Sequence, residues 1–431
     1  MAKNTPLSFR NLNIYSVFLR NFSEEGTFNA LTKELDRIKA LGTDIVWFLP
    51  FYPIGEKNKK GTVGSPYAIK DYRAIDESHG TMDDFKTLVN EIHKRDMKAM
   101  IDIVLNHTSP DSVLTKEYPE WFFRKENGSM GNQVGDWTDI VDLDYTNKDL
   151  WNYHIETLKQ WAEIVDGARC DVAPLLPIEF WNEARAEVKS VNPNFIWLAE
   201  SIERHFLQDL RSEGIIAHSD AEVFEAFDLS YDYDVYLEFR EYIDGTAPLA
   251  KYVHVLNLQD SSYPMNYVKM KFLENHDQDR ATSFIKNKND LLQWTAFNYL
   301  QKGATLIFNG QEVQADTVPA LFEKDPINWD ADKDISDYMT HLAQLQKDYI
   351  PFENERYQLE ADDATDTVKM YFTNPIRKLV GVFNLKEQTG ETSIDLKDGT
   401  YTNLISEQSV PVENGRISLE HTPALFEMNT K

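Results

Sequence analysis

An arginine and an aspartate two residues apart, Arg169 and Asp171, form the pair in this sequence best suited to chemistry. An apolar approach leads to Gly167 just before them, and on an extended strand residues i and i+2 point to the same face. A cation beside a carboxylate lowers its pKa by roughly 1–3 units, so Arg169 would keep Asp171 ionised at neutral pH. The pair suits a nucleophilic or charge-stabilising carboxylate, and it equally suits a structural ion pair at a strand end.

Three further apolar runs end in polar residues that could act with this pair. Their ends read Asp102-Ile103-Val104-Leu105-Asn106-His107, Leu198-Ala199-Glu200-Ser201 and Glu274-Asn275-His276-Asp277. In a barrel the carboxyl ends of the strands meet at one mouth, so these polar residues would converge there with Asp171. One polar strand end is easily structural, but four together predict a shared active site.

Eight strand-like runs, separated by helical patterns, must position these residues. The runs cover residues 14–19, 45–49, 100–105, 164–172, 195–199, 223–229, 268–273 and 304–308. Among the helical segments, residues 27–41 are followed by Gly42 at a C-cap position, and Thr81 is an N-cap for the next helix. Eight such units close into a (β/α)8 TIM barrel of the α/β class. A doubly wound open sheet is the alternative, but no glycine-rich phosphate loop follows the first run.

Two segments depart from this regular alternation. Residues 107–146 are too many for an ordinary βα loop of roughly 2–6 residues, and they predict a short inserted subdomain after strand three. Beyond residue 367, short alternating strands with turn pairs Asp398-Gly399 and Asn414-Gly415 predict a C-terminal antiparallel β-sandwich. We therefore predict a barrel formed by residues 1–106 and 147–350, an insertion over 107–146, and a C-terminal domain over 351–431.

The composition restricts the partners and the compartment. With 71 acidic and 44 basic residues the net charge is −27, which disfavours nucleic acid and anionic membranes and favours a neutral substrate. Cys170 is the only cysteine, so no intramolecular disulfide can form, and no histidine adjoins it to make a thiol nucleophile. No 18-residue apolar run and no apolar signal region occur in the sequence, so we expect a cytoplasmic protein.

Taken together, these motifs resemble those of the α-amylase family of glycoside hydrolases, family 13. The segments that carry the resemblance are Asp102 to His107, Gly167 to Asp171, Glu200, Asn275-His276-Asp277, Gly64-Ser65-Pro66-Tyr67 and Gly310-Gln311-Glu312. The likeness covers nearly the whole chain, including the insertion and the C-terminal domain. It implies that Asp171 is the nucleophile, that Glu200 is the general acid/base, and that Asp277 binds sugar hydroxyls and helps to distort the ring.

The chemistry of acetal cleavage agrees with these roles. It needs a protonated acid at the leaving oxygen and, for retention, a carboxylate nucleophile about 5 Å away. Glu200 follows the apolar residues 195–199, which would raise its pKa and keep its proton available. The resemblance further implies that substrate is bound by Tyr67, His107, Arg169, His276 and Asp102, with Tyr67 stacking on the sugar ring.

The resemblance implies that the chemistry requires no cofactor, although a structural Ca²⁺ could be held at Asn106 and Asp142. Oxygen donors from both sides of the insertion would suit a hard cation. Ordinary turn capping is the alternative for Asp142. The predicted Ca²⁺ would therefore stabilise the fold and take no part in the reaction.

The predicted function is a retaining hydrolase of α-glucosidic bonds, above all α-1,4 bonds, in maltodextrins or starch-derived oligosaccharides. Pro174 and Leu175 stand where many starch-cleaving members carry Lys-His. The valine directly after the nucleophile, Val172, is similar to the residue at that position in members that cut α-1,6 bonds. An α-glucosidase, an oligo-1,6-glucosidase or a transglycosylase on the same scaffold is therefore the alternative. A catalytically silent sugar-binding protein would usually lack one of the three carboxylates. A metal-dependent barrel hydrolase would carry a His-x-His pair after strand one, which this sequence lacks.

Overall fold

Eight parallel strands close into a barrel in the computed structural model, which describes residues 4–134, 137–329, 333–351, 353 and 355–429. The strands are β1 (Asn13–Val17), β2 (Ile45–Phe48), β3 (Lys98–Ile103), β4 (Gly167–Cys170), β5 (Ile196–Ala199), β6 (Leu229–Tyr231), β7 (Lys269–Lys271) and β8 (Ala304–Phe308). They follow one another around the ring in chain order, and β1 pairs in parallel with both β2 and β8. The predicted (β/α)8 barrel is confirmed.

Helices connect and flank these strands. Their bounds are Leu19–Phe22, Phe28–Thr32, Leu35–Ala40, Met82–His93, Val113–Glu117, Lys148–Ala162, Ile178–Val188, Arg204–Ser212, Asp220–Val223, Tyr236–Ile243, Leu249–Ser262, Ala281–Phe284, Lys288–Leu300 and Ser336–Tyr349. Thr81 caps the fourth helix as predicted, since its hydroxyl accepts the Asp84 N–H at 3.1 Å. The single helix expected over 27–41 is wrong, because two short helices occupy that segment. Among the residues described, no helix combines the length and apolar character needed to cross a bilayer.

Two strand predictions need correction. The sequence places the sixth strand over 223–229, but β6 begins only at Leu229, after the helix Asp220–Val223 and a turn. The reason is local: the N–H and hydroxyl of Ser219 both donate to the Glu222 carboxylate, at 2.7 and 2.6 Å, which starts a helix. The fourth strand is also shorter than the predicted 164–172, because it starts at Gly167, after the helix Lys148–Ala162 and a short turn.

The segment between β3 and β4 returns to its starting point at the barrel mouth. His107–Thr108 and Val141–Asp142 pair as a two-stranded antiparallel ribbon, with His107 opposite Asp142. Between them lie the helix Val113–Glu117 and a short 3-10 helix, Pro119–Trp121. The ribbon therefore sets the first and last residues of this segment beside the carboxyl end of β3.

A second domain follows the barrel. Its strands are β9 (Arg356–Asp362), β10 (Thr367–Thr373), β11 (Arg377–Asn384), β12 (Glu391–Ser393), β13 (Gly399–Thr402), β14 (Ser409–Val412), β15 (Arg416–Ser418) and β16 (Ala424–Asn429). An antiparallel sheet of order β9-β10-β11-β16 packs on two ribbons, β12 with β15 and β13 with β14. The predicted antiparallel domain is confirmed. Its predicted start at 351 stays a prediction, since it adjoins residues 352 and 354, which lie outside the described part of the chain.

The two faces of the four-stranded sheet have different neighbours. Val380 and Phe426 pack toward the two ribbons, whereas Met370, Phe383 and Leu425 pack into the same apolar core as the barrel and its helices. Successive residues of β10 and β11 point to opposite faces of the sheet, and both faces are covered, so most side chains on each face are buried.

A fully buried histidine, His154, lies under the mouth of the barrel. Neither of its ring nitrogens has a hydrogen-bond partner among the described residues, and burial lowers its pKa to about 3. Its ring packs against Tyr72 and Tyr145, with centroids 5.1 and 6.2 Å away. Their hydroxyls donate to the backbone carbonyls of His107 (2.6 Å) and Leu105 (2.8 Å). This aromatic cluster thereby fixes the backbone that leaves β3.

Candidate active site

One buried guanidinium group organises the mouth of the barrel. Arg169 on β4 donates through Nη1 to Asp102 Oδ1 (2.9 Å) and to Asp171 Oδ1 (2.8 Å). Its Nη2 lies 2.6 Å from Glu200 Oε1. Asp102 is on β3, Asp171 directly follows β4 and Glu200 directly follows β5. Arg169 therefore gathers carboxylates from three neighbouring strands, as its planar fork of donors allows.

The chain turns sharply after Asp171. Val172 has φ 36° and ψ 45°, a left-handed conformation that β-branched residues rarely adopt. In this conformation its N–H donates to Glu200 Oε2 at 2.7 Å. Glu200 Oε2 thus accepts a backbone hydrogen bond, while Oε1 forms the ion pair with Arg169. Backbone strain of this kind is typical of functional sites.

The environment drives the pKa values of two carboxylates in opposite directions. Burial raises the pKa of Glu200 well above its ordinary value, and Asp171 and Asp277 add to this against the opposing charge of Arg169. The Asp277 side chain is 35% exposed; its partial desolvation acts to raise its pKa, but the charge and hydrogen bond of His276, whose Nε2 is 3.0 Å from Oδ2, lower the pKa overall. Glu200 is suited to hold a proton, whereas Asp277 is suited to remain ionised.

Tyr67 connects the floor of the site to its rim. Its hydroxyl donates to Asp102 Oδ2 at 3.0 Å and lies 2.6 Å from His276 Nε2. Its ring is nearly parallel to that of His276, with an interplanar angle of 13° and centroids 5.5 Å apart. Burial raises the pKa of Asp102 to about 7, although Arg169 opposes this. The half-buried Tyr67 ring is therefore held by two buried polar side chains.

A cavity of ≈ 260 Å³ opens above these groups. It is lined by Lys60, Ser65, Tyr67, His107, Trp137, Asp139, Ile140, Asp171, Val172, Glu200, Asp277, Leu321 and Phe322. His107 reaches it with Nε2 4.0 Å from Asp171 Oδ2. A larger cavity of ≈ 380 Å³ lined by Asn309, Gln314 and Lys333, among others, contains none of the three carboxylates, so size alone does not locate the site.

The predicted site residues divide into two layers. The cavity lining includes Tyr67, His107, Asp171, Glu200 and Asp277. The other three are buried behind it: Asp102, Arg169 and His276 are at most 2% exposed. They contact lining residues directly and therefore orient them.

Sequence reasoning missed the part of the lining that comes from long loops. Trp137 and Asp139 belong to the insertion, Lys60 to the loop after β2, and Leu321 and Phe322 to the loop after β8. An isolated tryptophan in the polar insertion and an adjacent apolar pair in an acidic loop were the available signals. Neither signal specifies which cavity such a residue faces.

Of the predicted metal ligands, Asp142 is part of the ribbon at the base of the insertion, and Asn106 directly precedes its other strand. Asp142 is 2% exposed, its Oδ2 accepts the Gln133 N–H at 2.7 Å, and its Oδ1 has no hydrogen-bond partner among the described residues. Burial raises the pKa of Asp142. No group of three or more His, Cys, Asp or Glu side chains suited to a metal occurs within the described ranges. A cation here would therefore bind one carboxylate, together with amide, backbone or water oxygens.

A closed parallel barrel with buried carboxylates from neighbouring strands at its mouth fits a hydrolase of the glycosidase class. The family described as "Alpha amylase, catalytic domain" matches residues 6–356, and "Bacterial Alpha amylase C-terminal domain" matches residues 358–426. The chain belongs to the α-amylase family of glycoside hydrolases.

Solved structures and curated proteins agree with this assignment. The crystal structure of an alpha-amylase from Lactobacillus plantarum is 44% identical with a TM-score of 0.94, covering 98% of this chain and 100% of that one. A noncanonic maltogenic alpha-amylase, AmyB, from Thermotoga neapolitana is 33% identical with a TM-score of 0.87 over 98% and 100%. Alpha-amylase MalA of Haloarcula japonica is 25% identical over 78% of this chain and 48% of its own length. This chain thus spans about half of that relative.

Proposed function

We propose that this chain is a retaining glycoside hydrolase that cleaves α-glucosidic bonds, chiefly α-1,4 bonds, in maltodextrins or starch-derived oligosaccharides. The observation that carries the proposal is the contact of one guanidinium group with both Asp171 (2.8 Å) and Glu200 (2.6 Å). Retaining enzymes hold their two carboxyl groups about 5–5.5 Å apart, whereas inverting enzymes need roughly 6.5–9.5 Å to admit water between them. Two carboxylates on one guanidinium fit the closer arrangement.

In the proposed mechanism, Asp171 attacks the anomeric carbon while Glu200 gives its proton to the leaving oxygen. The resulting glycosyl-enzyme is hydrolysed by a water molecule that Glu200 deprotonates. The raised pKa of Glu200 supports its role as acid, and the ion pair with Arg169 places a positive charge beside the nucleophile Asp171. Once Glu200 has given up its proton, Arg169 and the Val172 N–H stabilise the carboxylate that remains.

The remaining polar groups would bind and orient the sugar. Asp277, kept ionised by His276, can accept hydrogen bonds from sugar hydroxyls, and His107 can donate to them. The Tyr67 ring faces the cavity and can stack on an apolar face of the sugar. Asp102, Arg169 and His276 act through these groups as positioning residues.

The stereochemistry of the first product tests the proposal. Two successive inversions restore the configuration, so the newly formed reducing end from maltoheptaose should appear first as the α anomer in a proton NMR time course. Initial release of the β anomer would falsify double displacement and leave Asp171 at most a base for water.

Transfer to a sugar acceptor is the second candidate. A segment of this chain is 32% identical to an Alpha-1,4-glucan:maltose-1-phosphate maltosyltransferase from Arcanobacterium haemolyticum, over 41% of this chain and 28% of that protein. Pro174 and Leu175 also differ from the Lys-His pair of many starch-cleaving members. Chromatography of the maltoheptaose products separates the two activities, because transfer yields chains longer than the substrate and hydrolysis does not.

A structural Ca²⁺ at Asn106 and Asp142 is a separate proposal. It is supported by Asp142 Oδ1, a buried carboxylate oxygen that lacks a hydrogen-bond partner within the described structure. If the ion binds there, Ca²⁺ should raise the Tm of EDTA-treated protein, and Asp142→Asn should weaken the response. An unchanged Tm on adding Ca²⁺ would contradict the proposal.

A cytoplasmic location is likewise proposed. It is supported by the use of a single cysteine, Cys170, which is buried and free. Fractionation of the source cells, with activity measured in each fraction, tests it.

A further inference from the structure

Side chains from three loops meet over one side of the cavity. Lys60, in the loop after β2, forms an ion pair with Asp139 of the insertion at 3.0 Å, and the Asp139 side chain is only 7% exposed. The Lys60 ammonium also lies 5.8 Å from the ring centre of Phe322, in the loop after β8. All three residues line the cavity.

Backbone hydrogen bonds join two of these loops directly. The N–H groups of Val63 and Gly64 donate to the Phe322 carbonyl at 3.1 and 3.3 Å. The buried Arg20 side chain donates to the carbonyls of Gly64 (3.0 Å) and Leu321 (2.8 Å).

A side-chain contact adds to these bonds, because the Glu323 carboxylate accepts the Thr62 N–H at 3.0 Å. We call residues 60–64, Asp139 and residues 321–323 together the loop bridge. The loop bridge is fixed by hydrogen bonds and an ion pair and is therefore a wall of the cavity.

The order of the strands fixes the side on which this wall stands. The loops of the loop bridge follow β2, β3 and β8, which with β1 form one continuous arc of the ring. Glu200 follows β5, on the opposite arc. A general acid must lie beside the leaving oxygen, so the reducing-end part of the substrate leaves on the Glu200 side. The loop bridge then faces the non-reducing end.

We infer that the loop bridge closes the non-reducing end of the substrate site, so that the enzyme is exo-acting and releases short products from the chain end. The inference rests on the proposed function of Asp171 and Glu200. The cavity of ≈ 260 Å³ agrees with it, since it lies below the roughly 300–1,000 Å³ of ordinary ligand pockets and has room for only a short part of a glucan chain. An endo-acting enzyme needs a cleft open at both ends.

The test compares two 4-nitrophenyl maltoheptaosides, one free and one carrying a 4,6-O-ethylidene group on its non-reducing glucose. Cleavage is followed by chromatography of the nitrophenyl-bearing products. The wild-type enzyme should have a kcat/KM at least about tenfold lower for the blocked substrate, because the added group meets a packed wall. Cleavage of both substrates at equal rates would overturn the inference. The α-anomer experiment would still support the hydrolase, so the two failures are distinguishable.

Variants assign the effect to the loop bridge. Lys60→Ala and Phe322→Ala each remove a side chain from the wall and should narrow the ratio of free to blocked rates by at least about threefold. Lys57→Ala, which changes an exposed lysine of the same loop, is the matched control and should leave the ratio unchanged. If the wild-type enzyme rejects the blocked substrate and both wall variants show the same ratio of free to blocked rates, another part of the protein closes the site.

Discussion

Replacement of Tyr67 by phenylalanine removes one oxygen atom from the site and leaves the ring. That oxygen donates to Asp102 Oδ2 at 3.0 Å and lies 2.6 Å from His276 Nε2. Asp102 is 0% and His276 is 2% exposed, so water cannot readily take the place of the missing hydroxyl. Stacking alone would predict that Tyr67→Phe keeps most of the activity, but these two contacts predict a clear loss.

The size of the loss follows from the buried partners. A buried polar group left without its hydrogen bond costs about 1–3 kcal/mol, and each 1.4 kcal/mol corresponds to a factor of about ten. If the transition state is destabilised by the whole of this free energy, kcat/KM should fall about 5- to 150-fold. Tyr67→Ala also removes the stacking ring, worth about 0.5–1.5 kcal/mol, and should lose roughly another 2- to 13-fold.

Initial rates on maltoheptaose, with Tm measured for each variant as a control for folding, check both values. A Tyr67→Phe enzyme within about twofold of wild type would refute the idea that the hydroxyl aligns Asp102 and His276. Equal losses for Phe and Ala would instead refute the stacking role of the ring.

Three further predictions concern the acid, the nucleophile and the second domain. Asp171→Asn and Glu200→Gln should each lower kcat at least about a thousandfold. A glycosyl fluoride has a leaving group that needs little protonation, so it should partly restore the activity of Glu200→Gln but not that of Asp171→Asn. Restored activity in Asp171→Asn would contradict its assignment as the nucleophile. Burial raises the pKa of Glu200, and the protonated form of Glu200 is the active acid, so kcat/KM should fall as the pH rises through that pKa. If the same fall persists when Glu200→Gln acts on the glycosyl fluoride, the pH dependence belongs to another group. Deletion of residues 367–431 should expose the apolar barrel residues that Met370 and Phe383 cover, such as Phe297, whose ring centre lies 5.2 Å from that of Phe383. It should therefore lower solubility before the products change, and a stable truncated enzyme with new products would contradict this.

Much of the barrel could be predicted because its strands and helices carry local signals. Apolar runs and helical periodicity located seven of the eight strands, and the spacing of Arg169 and Asp171 correctly predicted that their side chains lie together at the end of β4. β6 was misplaced because its Ser230 is satisfied by Asp220 at 2.7 Å, so this short buried strand needs no apolar run. Periodicity detects an apolar pattern but not a distant hydrogen-bond partner.

The arrangement of the site itself depends on contacts that the sequence pattern does not contain. Nothing local indicates that Arg169 on β4 reaches Glu200 at the end of the neighbouring β5, or that Val172 adopts a left-handed conformation to contact it. The same is true of the cavity wall, where Lys60 meets Asp139 from a different loop. Polar strand ends therefore predicted which residues assemble, while the shape of the cavity had to come from the structure.

His154 gives the enzyme a built-in sensitivity to acid unfolding. The unfolded chain binds a proton at this imidazole near its ordinary pKa of 6.5, whereas the folded protein resists protonation until about pH 3. The contribution of the neutral, buried His154 to stability is therefore fully present above pH 6.5 and is lost progressively as the pH falls toward 3. Below both pKa values, this difference between the folded and unfolded states lowers the free energy of unfolding by roughly 4–5 kcal/mol, a large fraction of the stability of an ordinary domain. His154→Phe should flatten this decline in chemical unfolding measured between pH 7 and 4, and an unchanged slope would contradict the account.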